Sequence, residues 1–342
     1  MNYLRAYDTI ADYNSALLNA ELPDNAVIYI RDTDSVIYFR AKPESDVPLY
    51  IEALEDLTAS FSAATSYSLD GIEWISLAKS TATPTIPAGS KVYFKASGLS
   101  VSTGSGIGKF TITGRCYVGG NALSMIYGTD FASETTLSKN YALTRLFYSC
   151  KTVLDARRLS LPSLILSGYC YSEMFYGCSS LVNAPELPAT TLADYCYYGM
   201  FYGCTSLTHA PERLPATTMG AYSCYWMFYG CSSLVNAPEL PATTLASYCY
   251  FGMFYNCSSL VNAPELPATT LASYCYREMF YNCKKLAYIK AMFTTTPGTS
   301  YTYYWLHNTA TAGTFVKNAA ATWNVSGYSG IPNGWTVETA SA

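Results

Sequence analysis

Charge is scarce in this 342-residue chain: 13% of residues are charged, against 50% hydrophobic. No Lys/Arg cluster occurs and the formal net charge is −4. That argues against a nucleic-acid partner, since phosphate binding needs concentrated positive charge. Histidine is nearly missing: His209 and His307 stand in unrelated contexts. No G-x-S-x-G, H-E-x-x-H, dinucleotide fingerprint or true phosphate loop is present. The sequence therefore points away from an enzyme and asks for no cofactor and no metal. No stretch approaches the ~20 apolar residues of a membrane span, so membrane insertion is not expected. Residues Met1 to Asp8 lack a basic segment followed by an apolar run and do not read as a signal peptide. Heptads are missing as well, so no coiled coil sets an oligomer number.

What the chain has is a phrase that returns. M-F-Y-x-C begins at Met174, Met200, Met227, Met253 and Met279, with spacings of 26, 27, 26 and 26 residues. A fixed period of this size marks stacked supersecondary units. Ten of the 12 cysteines are locked to it, as pairs such as Cys170/Cys178 and Cys196/Cys204. On a helix that separation is two turns, ~12 Å, too far for a disulfide. The third unit carries Ser223 where its neighbours carry Cys. These cysteines read as buried free thiols that act as small apolar fillers, at a spacing that fits no zinc pattern.

The period divides the chain into four parts. Residues 1–46 form a small module: a helix capped by Asp8 or Thr9 and carrying Ile10, Tyr13, Leu17 and Leu18, then a hairpin from Val27–Arg31 to Val36–Arg40. Its turn holds Asp32 and Asp34, better read as solvated than as a cation site. One helix and one hairpin bury too little to stand alone, so Tyr7, Tyr13, Leu17, Tyr29 and Tyr38 are candidate docking residues. Residues 47–120 read as a small all-β sandwich, with a hairpin about Asp70-Gly71 and strands at Lys91–Lys95 and Lys109–Val118. Residues 121–293 are the solenoid. Residues 294–342 break the period and read as a C-terminal cap.

Within a unit, Leu181–Ala184 is expected as a strand and Leu192–Tyr202 as a helix. Cys196, Met200 and Cys204 lie four apart and so share one face. Leu181, Leu207, Leu234 and Leu260 line the core. Asn183, His209, Asn236 and Asn262 stack as a polar ladder. Glu186, Glu212, Glu239 and Glu265 form an acidic one, better read as hydrated than as holding a cation. The positions that vary are Ser172/Glu173, Tyr198/Gly199, Tyr225/Trp226, Phe251/Gly252 and Arg277/Glu278. Variation in an otherwise fixed helix marks an outward face. Tyr198, Tyr225, Trp226, Phe251 and Arg277 thus form a candidate partner-binding stripe for sugar rings or a protein. Packing against a neighbouring chain or the β-domain is an equal alternative.

The repeat, M-F-Y-x-C before x-x-L-x-x-A-P and L-P-A-T-T, resembles the BspA-like class of leucine-rich repeats of bacterial surface proteins. Trp74–Leu77, Gly106–Phe110 and Gly119–Ser124 are similar to the junctions of such chains. Gly313–Lys317 and Gly330–Val337 are similar to their caps. The resemblance implies an α/β leucine-rich-repeat solenoid, preceded here by a sandwich-like domain and a helix-hairpin module, with a role in adhesion or recognition. The opening, Tyr7-Asp8-Thr9-Ile10-Ala11-Asp12-Tyr13 with Leu22-Pro23 and a strand pair, resembles leading segments of virion proteins in phages of gut bacteria. Together these imply a phage virion component of head or tail-fibre type. Its expected partners are other virion proteins and a host surface glycan or protein, and a homo-oligomer is expected. A bacterial cell-surface adhesin is the alternative.

Overall fold

The computed structural model describes residues 4–7, 27–30, 35–38, 44–96 and 106–340. The chain falls into two compact units, Met1–Pro43 and Glu44–Ala342. The first holds strands β1 (Leu4–Tyr7), β2 (Val27–Ile30) and β3 (Ser35–Tyr38) in that order. β2 and β3 form the expected antiparallel hairpin, with Val27 opposite Tyr38. β1 was not expected. It pairs parallel to β2, Leu4 to Val27, so the hairpin is one part of a mixed three-stranded sheet. The helix expected after Asp8, and Asp32 and Asp34, lie outside the described residues.

In the second unit the strands up to the repeat are β4 (Tyr50–Ala53), β5 (Ala59–Phe61), β6 (Thr65–Ser68), β7 (Ile75–Leu77), β8 (Lys91–Lys95), β9 (Phe110–Ile112), β10 (Cys116–Asn121), β11 (Thr136–Leu137), β12 (Val153–Ser160) and β13 (Ile165–Leu166). The Asp70-Gly71 hairpin joins β6 to β7. It is held by Asp70 Oδ1, which accepts from the amides of Ile72 and Glu73. The segment expected as one strand over Lys109–Val118 is two: β9 pairs with β5, whereas β10 joins the main sheet.

That main sheet has the order β12-β10-β4-β8-β6-β7 and is not a closed sandwich. β10 pairs antiparallel with β4 on one side and parallel with β12 on the other. Asp155 of β12 then bridges to Asn183, and Asn183 to His209, both in parallel. The sheet of the β-region therefore runs on into the repeat, and its core continues without a break from Leu49 to Trp335.

The repeat is not an α/β leucine-rich-repeat solenoid. Among the described residues the only α-helix is one turn, α1 (Ser124–Tyr127), followed by a 3-10 stretch at Gly128–Ser133. The segment expected as helix is a chain of four-residue turns, and the backbone shows why. Tyr169, Glu173 and Gly177 have φ of 57°, 53° and 71°. The same left-handed geometry returns at Tyr195, Gly199 and Gly203, and in each later coil. Amides alternate in partner. Cys170, Ser172, Met174, Tyr176 and Cys178 each donate three residues back within the coil. Tyr169, Tyr171, Glu173, Phe175 and Gly177 donate instead to carbonyls of the next coil, at 2.7–3.1 Å. A helix would direct every amide to i−4. The four-residue period read as helical is a true period of four. The expected strand at Leu181–Ala184 shrinks to single parallel bridges at Asn183.

Turns of this kind put bulky residues in a conformation that costs L-amino acids roughly 1–2 kcal/mol each. Packing offsets it. Phe110, Phe147, Phe175, Phe201, Phe228, Phe254 and Phe280 stack in one buried column, with centroids 5.3–5.7 Å apart. The Leu column at Leu181, Leu207, Leu234 and Leu260 is fully buried, as are the five Met residues. All 12 cysteines are free and buried. Those that close M-F-Y-x-C do more than fill space. Cys150 Sγ donates to Phe110 O at 3.3 Å, Cys178 to Phe147 O at 3.0 Å and Cys204 to Phe175 O at 3.2 Å. Cys231, Cys257 and Cys283 continue the series onto Phe201, Phe228 and Phe254. The thiol bonds run from each coil to the one before. The amide bonds run to the one after.

The end of the chain keeps the stack going although the sequence period fails. β14 (Tyr288–Ala291), β15 (Thr314–Lys317) and β16 (Thr336–Thr339) form a parallel sheet in that order. Tyr288 faces Thr314, and Thr314 faces Thr336. Trp305 and Trp323 pack on Phe293 and close the core.

Burial raises the thiols far above their ordinary range. Cys150, Cys224 and Cys275 are pushed up to about 12, and Cys178, Cys196 and Cys231 are raised well above it. A raised folded-state value leaves stability intact below the unfolded thiol value, about 8.5. That stability is lost as pH rises from there toward the folded value. The denaturant midpoint should be flat between pH 6 and 8 and fall steadily above about pH 9. A midpoint unchanged to pH 11 would contradict this burial.

Candidate functional site

One face of the stack is paved with aromatic rings, because each coil repeats the same turns and sets its tyrosines directly over those of the coil before. Tyr141, Tyr169, Tyr195, Tyr222, Tyr248 and Tyr274 form one column, stacked at 4.4–4.7 Å. Tyr148, Tyr176, Tyr202, Tyr229, Tyr255 and Tyr281 form a second, at 4.5–5.0 Å. These tyrosines belong to the near-identical part of the repeat, and sequence reasoning left them in the scaffold. They stand three residues before and four residues after the variable ring, as Tyr195 and Tyr202 do about Tyr198, and that spacing was the signal that all three share a face.

The variable stripe lies between the two columns. Tyr198 stacks on Tyr225 at 5.4 Å, and Tyr225 on Phe251 at 4.6 Å. The Arg277 guanidinium lies 5.7 Å from the Phe251 ring and covers that end. The stripe is less open than an outward helix face would be: Tyr198 and Tyr225 are half-buried and Phe251 is 8% exposed. Trp226 lies across it, within 6.3 Å of Tyr198, Tyr202, Tyr225 and Tyr229. Gly252, in the following coil, leaves room for the indole. Burial raises the phenols of Tyr198 and Tyr225, the latter to about 12, with neighbouring acidic groups adding to the effect. They stay neutral and can donate.

The stripe opens at its other end. The coils before Tyr198 carry Ser172 and Thr144 in its position, and both hydroxyls bond backbone carbonyls, Ser172 to Tyr198 O and Thr144 to Tyr169 O. Beside them Arg145 Nε donates to Glu173 Oε2 at 2.7 Å. These residues, with Tyr141, Tyr169, Tyr195 and Tyr198, line a cavity of about 330 Å³. Nothing in the sequence spacing had marked Arg145.

The other polar ladders are rearranged. Asn262 donates to Asn236, and Asn183 to Asp155, so the Asn column is satisfied side chain to side chain. It is mostly exposed. His209 sits in it on the surface, with Thr208 Oγ1 at 2.9 Å from Nδ1. A second Asn ladder was missed: Asn308 donates to Asn282 and Asn282 to Asn256, in the left-handed position that earlier coils give to Gly. The acidic ladder is broken. The extra residue in the 27-residue spacing puts Arg213, not Glu212, opposite Glu239, at 3.7 Å. Lys290 pairs with Glu265 at 3.0 Å. Among the described residues no group of three or more His, Cys, Asp or Glu is placed to hold a metal. No helix there is long and apolar enough to cross a membrane.

Of the candidate docking residues, Tyr7, Tyr29 and Tyr38 lie on β1, β2 and β3. Tyr13 and Leu17 lie outside the described residues.

The indole position can be tested by two glycines of equal backbone geometry. Both Gly199 and Gly252 have φ of +55°, so Ala at either is strained by roughly 1–2 kcal/mol. At Gly252 an added Cβ would also lie 2.6 Å from Trp226 Cδ1, whereas at Gly199 the nearest atom is 3.6 Å away. Gly252→Ala should shift Trp fluorescence and cost about 1–3 kcal/mol more than Gly199→Ala in denaturant unfolding. Equal losses would place the indole elsewhere.

Comparisons of the chain with protein-family models, with curated proteins and with solved structures return no match.

Proposed function

We propose that this chain is a non-enzymatic recognition protein of a phage particle. Residues 1–46 dock it on other virion proteins, and the paved face of the stack meets a glycan on the host cell. The observation that carries the reading is the face itself: two unbroken tyrosine columns with a third, variable one between them. Flat ring faces edged by phenol hydroxyls suit sugar rings, which offer apolar C–H faces and hydroxyl rims. The buried near-identical positions hold the coils together, the repeated tyrosines give the face its ring surface, and the variable column between them is where a ligand would be told apart. The docking role rests on the likeness of the opening segment to virion proteins and on the compactness of Met1–Pro43 as a unit of its own. A homo-oligomer fits this role, since particle appendages are symmetric.

The test compares the full chain with a variant lacking residues 1–46. The variant should fail to enter particles yet bind host-cell polysaccharide as the full chain does. Incorporation without those residues would remove the docking role. Recovery of the full chain in the cell envelope and not in particles would favour a surface adhesin instead.

A further inference from the structure

The middle column of rings is incomplete, and the gap is shaped. In successive coils its position is held by Thr144, Ser172, Tyr198, Tyr225, Phe251 and Arg277. Three rings stack, and Arg277 covers the Phe251 end. At the other end two rungs in a row carry no ring. Two rungs at ~4.8 Å leave ~10 Å along the stack, and the cavity of about 330 Å³ lies there. The ring of Tyr198 faces it. Tyr141 and Tyr169, stacked at 4.5 Å, form one wall. The Arg145–Glu173 pair lines it as well.

We infer that this gap is a binding subsite for a neutral pyranose, whose ring takes the vacant rung against Tyr198 while its hydroxyls bond Arg145 and Glu173. The inference rests on the recognition reading above and says where on the face a sugar is held. The chemistry of the walls selects the ligand. An aromatic side chain would be satisfied by stacking and would leave the ion pair and the phenols without a role. A sugar ring has an apolar face for Tyr198 and a rim of hydroxyls for a guanidinium, a carboxylate and tyrosine hydroxyls. The pair also selects against charge. Glu173 already neutralises Arg145, at 2.7 Å, so an acidic sugar gains no net attraction. Where the rungs are filled, from Tyr198 to Phe251, the rings occupy that space themselves. The open end is where an incoming ring can join the stack.

The experiment uses the full chain and saturation-transfer NMR with methyl pyranosides of glucose, galactose, mannose and N-acetylglucosamine. Saturation should pass to the C–H face of at least one of them. Ser172→Tyr writes into the gap the residue that the next two coils already carry and should weaken that binding at least about tenfold. Glu173→Gln keeps the space but breaks the pair, and should weaken it by a similar factor. Trp fluorescence reports whether each variant folds. If Ser172→Tyr fails to fold, Glu173→Gln decides. Unchanged pyranoside binding in a folded Ser172→Tyr or in Glu173→Gln overturns the subsite and leaves the recognition face standing. So does binding of host polysaccharide with no transfer to any pyranoside. Failure of pyranosides and polysaccharide alike overturns both.

Discussion

Everything in the second unit depends on how each coil hydrogen-bonds to the next. Every other amide leaves its own turn and reaches the following coil, and each closing cysteine reaches back to the Phe carbonyl of the preceding one. The intervening amides close the turns locally. The amides of these turns find partners this way without a helix or a long strand, as buried backbone requires. The coil spacing then dictates the rest. A residue repeated at each coil becomes a column, and an aromatic residue becomes a stack. The paving of the outer face follows from the arithmetic of the backbone. It needs no design beyond a Tyr at the right two positions.

The same bonds explain why cysteine is used. A small apolar side chain would fill the site, but it would not donate to the Phe carbonyl. A serine would donate but is less at home in a core with Leu, Met and Phe on every side. The thiol does both. Its burial also holds it protonated, which keeps it a donor. The β-region supplies the first partner: Cys150 bonds Phe110 of β9, and β12 pairs with β10. The stack is thus started by a conventional sheet and ends at β16.

Much of this was legible from residues alone. The period gave the stacking, the ten repeat-locked cysteines read correctly as free thiols, and Leu181 and its counterparts were rightly assigned to the core. Asp70-Gly71 announced its hairpin. What misled was the spacing of Cys196, Met200 and Cys204. Positions four apart share a face in a helix and also in a run of four-residue turns, and only the φ values at Tyr195, Gly199 and Gly203 separate the two. Tyr at a left-handed position carries no warning in sequence, since bulky residues avoid it. The acidic ladder failed for a different reason: one inserted residue slid Arg213 into register, which a list of equivalent positions hides. At the candidate site the variable stripe was visible, but its gap was not. Ser172 and Thr144 matter through what they leave empty, and a gap has no motif.

The coil, and not the domain, is the unit of stability. The most direct measurement is unfolding of a chain from which residues 231–256, one full 26-residue period, have been removed. That cut joins Gly230 to Cys257 and restores the phrase intact. The shortened chain should fold and unfold in a single cooperative transition, at a somewhat lower midpoint. Removal of residues 231–248, out of phase, should abolish that transition. If the in-phase deletion is as damaging as the out-of-phase one, the coils are not interchangeable and the account of the stack is wrong.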